Sequence, residues 1–136
     1  MAGPKITTRA ALWTDAARDD LASIADHDAR EIRLFKDAIQ GGDYSLIDLM
    51  ADGERIGCAV WSYEQEVDGK WCLVVKAMAA RPVPGADVTK VMFETFTGFA
   101  KLIGARSILC WTKRNGLARK LENLGAEKRH VLEVAL

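Results

Sequence analysis

WCLVVKAMAARPVPGADVTKVMFETFTGFAKLIGARSILCWTK, residues 71–113, reads as strand, turn, helix and strand in that order. The run WCLVVKAMA is β-branched and apolar on alternate positions and beyond, as a strand covered on both faces should be. Residues 87–105 carry Val88, Val91, Met92, Phe96, Phe99 and Ile103 at helical spacing, and Gly104 is placed to stop the helix. RSILCWTK (106–113) returns to strand character. Between the first strand and the helix lies RPVPGADVTKVM (81–92). A helix entered from a strand through a tight loop is a place where many folds hold a phosphate, because the first N–H groups of the helix are unpaired. Whether this loop is a cradle or only a turn is the functional question.

Upstream, two hairpins are expected in succession. YSLIDLMA, Asp52-Gly53 and ERIGCAVWSYE form the first, and Val67-Asp68-Gly69-Lys70 turns the chain into WCLVVKAMA. Asp-Gly at the centre of a two-residue turn suits type I′ geometry, in which both central residues need positive φ. That register places Ile47, Leu49, Ile56, Cys58, Val60, Leu73, Val75 and Ala77 on one sheet face. It places Leu46, Met50, Ala59, Trp61, Tyr63, Val74 and Met78 on the other, with Asp48, Arg55 and Lys76 among them. Both faces need cover, so helices are expected on both sides. The same register sets Cys72 opposite Gln65 and Cys58 opposite Ala79, which excludes a cross-strand disulfide.

Further upstream, residues 14–40 read as one long or two short helices, with Leu21, Ile24, Ile32, Phe35 and Ile39 on the buried stripe and Thr14 as N-cap. ITTRAALW (6–13) is a first strand. Downstream, RNGLARKLENLGA (114–126) is a shorter helix with Leu117, Leu121 and Leu124 inward and Gly125 as its C-terminal cap, and EKRHVLEVAL is a closing strand. No linker or repeat interrupts this order. One α+β domain spanning 1–136 is the expectation.

Nineteen basic residues balance nineteen acidic ones in the 136-residue chain. No basic block is present, so nothing marks a nucleic-acid surface or a polybasic membrane patch. No apolar run has the length of a membrane span, and the start lacks the apolar core of a signal peptide, so the protein is expected to be cytoplasmic at synthesis. The three cysteines, Cys58, Cys72 and Cys110, sit in separate apolar runs and read as small buried hydrophobes. With only His27 and His130 far apart in sequence, no metal site is expected.

The element order, and above all SILCWTK followed by NGLARKLENLGA and a last strand, resembles the GNAT N-acetyltransferase fold. That resemblance implies a mixed, mostly antiparallel sheet with helices on both faces. It also implies that residues 71–79 and 106–112 are neighbouring parallel strands which diverge at their C-terminal ends. A narrower likeness, carried by ADHDAREI (25–32), ERIGCAVW, DGKWCLV and ARKLENLGA, is to short GNAT-like proteins of tailed bacteriophages, including internal virion proteins. It implies a non-catalytic structural or interaction protein, with a phage structural protein or a second copy as partner and a place in a virion. The wider family implies the alternative, an acetyl-CoA-dependent N-acyltransferase.

For that alternative the resemblance points to Ala77, Met78, Arg81, Gly85, Ala86 and Asn115 as the cofactor contacts. The family's pyrophosphate loop, Arg/Gln-x-x-Gly-x-Gly/Ala, meets only a partial match in Arg81-Pro82-Val83-Pro84-Gly85-Ala86. Pro82 and Pro84 lack N–H groups, one glycine is present, and Asp87 stands where it would cap the helix with its own carboxylate. A rigid self-capped turn explains every residue of this stretch. Amine acylation needs a base and a proton for the leaving thiolate. Asp48 and Glu64 are the candidate bases; Asp48 equally suits an ion pair with Arg55 or Lys76, and Glu64 a solvated hairpin charge. The family's tyrosine on the last helix falls on Glu122 or Leu121, while Tyr44 and Tyr63 lie elsewhere. His27 reads as a surface residue or an acceptor-side group, and His130 as solvated. Trp13, Trp61, Trp71 and Trp111 read as core or sheet-face residues, with Trp61 and Trp71 able to form a contact patch.

Overall fold

The computed structural model describes residues 3–24, 28–112, 115–129, 132 and 134–136. Its elements are β1 (Ile6–Ala10), α1 (Asp15–Ala22), α2 (Ala29–Gln40), β2 (Ser45–Ala51), β3 (Glu54–Gln65), β4 (Trp71–Ala80), α3 (Val88–Ile103), β5 (Ile108–Cys110) and α4 (Asn115–Asn123). The five strands form one sheet in sequence order. All neighbours are antiparallel except β4 and β5, which are parallel, as expected of residues 71–79 and 106–112.

The helices begin where their caps dictate. Thr14 Oγ1 accepts from Ala17 N–H at 3.2 Å and opens α1; Asp28 Oδ1 accepts from Glu31 N–H at 2.9 Å and opens α2. Residues 14–40 are therefore two helices. Leu21 and Ile32 of their stripe are buried, and Ile24, Phe35 and Ile39 pack beside them. Gly104, in the left-handed region at φ +71°, ends α3. On α3 the buried residues are Met92, Phe96 and Ala100, while Ile103 at the last turn is exposed. On α4 Leu121 is buried and Leu124 exposed, so the inward face is narrower than the leucine spacing suggests. In the closing segment none of the described residues 127–129, 132 and 134–136 lies in a strand.

The sheet separates two cores. Ile47, Leu49, Ile56, Ala59, Leu73 and Val75 pack with Met92, Phe96 and Ala100 of α3. Leu46, Cys58, Val60 and Ala77 pack with Ala17, Leu21 and Ile32 of α1 and α2. This division corrects the expected faces: Cys58, Val60 and Ala77 lie opposite Leu49, while Ala59, Trp61, Tyr63 and Met78 face α3. Two β-bulges are the cause. Leu49 pairs with Gly57 but Met50 with Arg55, leaving Ile56 extra; Val60 pairs with Ala77 but Trp61 with Val75, leaving Lys76 extra. One extra residue reverses the alternation from that point on.

The hairpin turns explain the rest of the register. Asp52 (φ +49°) and Gly53 (φ +85°) form the expected type I′ pair. In the second hairpin only Gly69 has positive φ (+83°), and Glu66 N–H reaches Lys70 O at 2.8 Å, so the loop has three residues, 67–69. That sets Cys72 opposite Glu64, one residue from the expectation. The bulge at Lys76 then restores it, and Cys58 does lie opposite Ala79.

Candidate functional site

Parallel pairing of β4 and β5 ends at Val75 and Cys110, yet β4 continues to Ala80. The two strands therefore part after Val75, and the fork between them opens at Lys76 on one side and Trp111 on the other. Ala77 and Met78, implied as cofactor contacts, lie in the diverging part of β4, Ala77 buried against the α1 side and Met78 packed toward α3.

The loop that follows is a turn closed on itself. Ala86 N–H donates to Val83 O at 3.2 Å around Pro84 and Gly85, and Gly85 has φ +80°. Proline then positive-φ glycine is the type II arrangement. Asp87 caps α3, its Oδ1 accepting from Lys90 N–H at 3.1 Å. Arg81 turns away to Glu54 at 3.4 Å, and its N–H donates to Ile56 O at 3.0 Å. The start of the chain lies on the loop: a Cβ at Gly3 would stand 2.3 Å from Gly85 O, and one at Gly85 would stand 3.4 Å from Pro4 Cδ. A pyrophosphate cradle needs several free N–H groups, glycine access and no nearby anion. Here two positions are prolines, Ala86 N–H is engaged, a carboxylate sits at the helix start and Gly3 covers Gly85. These residues do not fit the group.

The two candidate bases are far apart. Asp48 pairs with Cys58 and Glu64 with Cys72 across β3 and its neighbours. Six residues along a strand separate them by about 20 Å. Asp48 is buried between two arginines: Arg9 Nη2 at 3.0 Å and Arg55 Nε at 3.1 Å. Arg55 also reaches Asp20 of α1, with Nη2 2.8 Å from Oδ2. That last contact is a charge pair without hydrogen-bond alignment, since both atoms are buried and neither makes a directed bond. Burial works against the Arg55 charge, but Asp20 and then Asp48 outweigh it and hold its pKa above the ordinary arginine value. Both Asp48 oxygens are thus engaged by guanidiniums, Oδ2 by Arg9 and Oδ1 by Arg55.

Glu64, on β3 opposite Cys72, reaches the Lys76 head group. Lys76 Nζ is 2.6 Å from Glu64 Oε2, and Ser62 Oγ donates to the same oxygen at 3.0 Å. Lys76 Nζ also lies 5.1 Å from the Tyr44 ring centroid and 5.9 Å from that of Trp111. The bulge aims Lys76 into this cluster. The Lys76 ammonium holds the Glu64 carboxyl below the usual range, against burial and with help from Ser62. Burial opposes the Lys76 charge, but Glu64 and the Tyr44 hydroxyl raise its pKa above the ordinary lysine value. The lowered Glu64 value gives stability that is present above its unfolded pKa, about 4.3, and lost as pH falls through the folded one. The raised Lys76 value gives stability that is lost only as pH rises past about 10.4. With Glu64 half exposed, the acid-side loss should be under about 1 kcal/mol. Urea midpoints compared between pH 7 and pH 3 should fall less in Glu64→Gln than in the native chain; equal falls would remove Glu64 from the cause.

Tyr63, its pKa raised by burial, and Trp61 join Phe96 and Phe99 in an aromatic cluster under α3, so Trp61 is not part of an exposed patch with Trp71. Trp71 and Trp111 are exposed. Leu121 is buried and Glu122 exposed on α4. His27, His130 and the Asn115 side chain lie outside the described residues. Burial pushes the Cys58 thiol up to about 12 and raises Cys72 as well, so neither is a nucleophile. Among the described residues no His/Cys/Asp/Glu cluster could hold a metal, and no helix is long and apolar enough to cross a membrane. The sequence reading missed Asp20, Tyr44 and Trp111 as site components. The available signal was Lys76 itself, a lone charge inside VVKAM in a strand buried on both faces.

No family model and no curated protein sequence matches this chain. Solved structures do. A transcriptional regulator from Bacillus halodurans C-125 superposes with a TM-score of 0.76 at 18% identity, over 97% of this chain and 100% of that one. A ribosomal-protein-alanine N-acetyltransferase from Brucella melitensis biovar Abortus 2308 gives 0.72 at 17% identity, over 97% and 98%. The aminoglycoside N-acetyltransferase AAC(6')-Iy, solved with CoA, gives 0.72 at 19% identity, over 98% and 95%. With a five-stranded mixed sheet, a parallel β4–β5 fork and helices on both faces, the chain has the GNAT acetyltransferase fold.

Proposed function

We propose that this GNAT-fold chain does not carry out acyl transfer and acts by binding a protein partner. The observation that carries this reading is the loop of residues 81–87, turned on Pro84-Gly85, capped by Asp87 and covered by Gly3. The ionic engagement of Asp48 by Arg55 and of Glu64 by Lys76 agrees with it. Fold alone does not set chemistry, and the similar structures include a transcriptional regulator as well as acetyltransferases. The segments 25–32, ERIGCAVW, DGKWCLV and ARKLENLGA are the support for the phage-encoded kind, with a virion protein or a second copy as partner.

Calorimetric titration with acetyl-CoA tests the reading. The native chain is expected to give no heat of binding. Asp87→Gly should fold, since glycine at an N-cap costs only a few tenths of a kcal/mol, and any gain in binding should be confined to it. Micromolar binding by the native chain would overturn the proposal. It would favour the second reading, an acyl-CoA-dependent N-acyltransferase with Glu64 as its base.

A further inference from the structure

We propose that α1 is a lid over Cys58 which opens as a unit, held shut by one latch, the Asp20–Arg55 ion pair. The inference goes beyond the reading of the loop and does not depend on it.

α1 has eight residues, Asp15–Ala22, and a helix this short has little stability of its own. Two of its side chains, Ala17 and Leu21, are fully buried and join Cys58, Val60 and Ala77 in the core on that face of the sheet. Arg18 is occupied within the helix, meeting Asp15 at 3.4 Å and Asp19 at 3.2 Å. Among the described residues Asp20–Arg55, at 2.8 Å, is the one ion pair from α1 to another element. Neither atom of that contact makes a directed hydrogen bond, so charge alone holds it. Opening leaves neither charge stranded. Asp20 passes into water, and Arg55 keeps Asp48, whose Oδ1 lies 3.1 Å from its Nε. Breaking a buried pair is costly because one charge is left without a partner; here that cost is absent. The thiol beneath registers the closed state, since burial and then the Asp20 charge push the Cys58 pKa up to about 12. Cys58 is fully buried, so a reagent reaches its sulfur only through opening.

Alkylation by iodoacetamide, with each cysteine followed by mass spectrometry, tests this. Asp20→Asn removes the charge and keeps the side chain's shape. It should speed Cys58 alkylation about tenfold, as for a pair between the exposed and the buried limits. Cys72, also buried, should keep its native rate. Amide exchange at Arg18 and Ser23, whose N–H groups donate to Thr14 O and Asp19 O, should accelerate by the same factor, and exchange at the centre of β3 should not. Asp19→Asn, on the exposed side of the same helix, is the control and should change neither. Unchanged Cys58 and α1 rates in Asp20→Asn would show that Ala17 and Leu21 hold α1 without a latch. Equal acceleration at Cys72 and in β3 would mean that the pair supports the whole fold and that α1 is no lid. Faster alkylation without faster α1 amides would reflect the thiol alone and would overturn the lid as well. None of these outcomes bears on acetyl-CoA binding, so either proposal can fail while the other stands.

Discussion

Arg55→Ala is expected to destabilise the protein by about 3–5 kcal/mol, the range found when one partner of a buried ion pair is removed. Arg55 joins three elements: it sits on β3, meets Asp48 on β2 and reaches Asp20 on α1. Without it Asp48, 8% exposed, keeps only Arg9, whose own side chain is mostly in solvent. Asp20 would lose the opposite charge it meets among the described residues, and α1 would lose its polar tie to β3. Urea denaturation should show a lower midpoint with little change in slope. The double variant Arg55→Ala/Asp48→Ala should be less destabilised than the sum of the single variants, because the stranded carboxylate is then gone. A single-variant loss below about 1 kcal/mol would mean that water reaches the cluster and the ions are effectively exposed.

The same cluster shows how far the sequence could be read. An Asp48–Arg55 pair was among the expectations, since the two residues flank one hairpin whose Asp-Gly turn fixes their proximity. The third member, Asp20, is 28 positions from Asp48 in the chain, and only packing of α1 on the sheet brings it near. The helices, their caps and the first five strands were legible because they depend on local signals, Thr14, Asp87, Gly104 and the apolar periodicities, whereas the parallel β4–β5 pair was implied by the family resemblance. The sheet faces were not, because they depend on two bulges at Ile56 and Lys76 and on a three-residue loop at 67–69. A bulge leaves no compositional mark beyond an extra residue. The proline turn was legible, since missing N–H groups are a property of residue type. Its cover by Gly3 was not, being a contact between segments some 80 residues apart.

Gly57→Ala carries the other large effect. Gly57 pairs with Leu49 on one side and with Ala80 on the other, next to the bulge at Ile56. A Cβ there would stand 2.0 Å from Ala79 O and 2.6 Å from Ala80 Cα. Both are backbone atoms, so no side chain can swing aside, and the end of β4 must move. Overpacking of this kind costs about 1–3 kcal/mol and occasionally more; with backbone on the receiving side about 3 kcal/mol is expected. The damage should be local as well as global. Arg81 N–H, bonded to Ile56 O at 3.0 Å, should lose hydrogen-exchange protection before the centre of the sheet does. Gly98→Ala is the matched control, since a Cβ at that exposed helical position meets nothing within 4 Å. It should stabilise by about 0.5–1 kcal/mol. Similar stability for the two variants would show that β3 and β4 can separate at no cost. The diverging arm of β4, which forms one side of the fork, would then not be held by close backbone packing at Gly57.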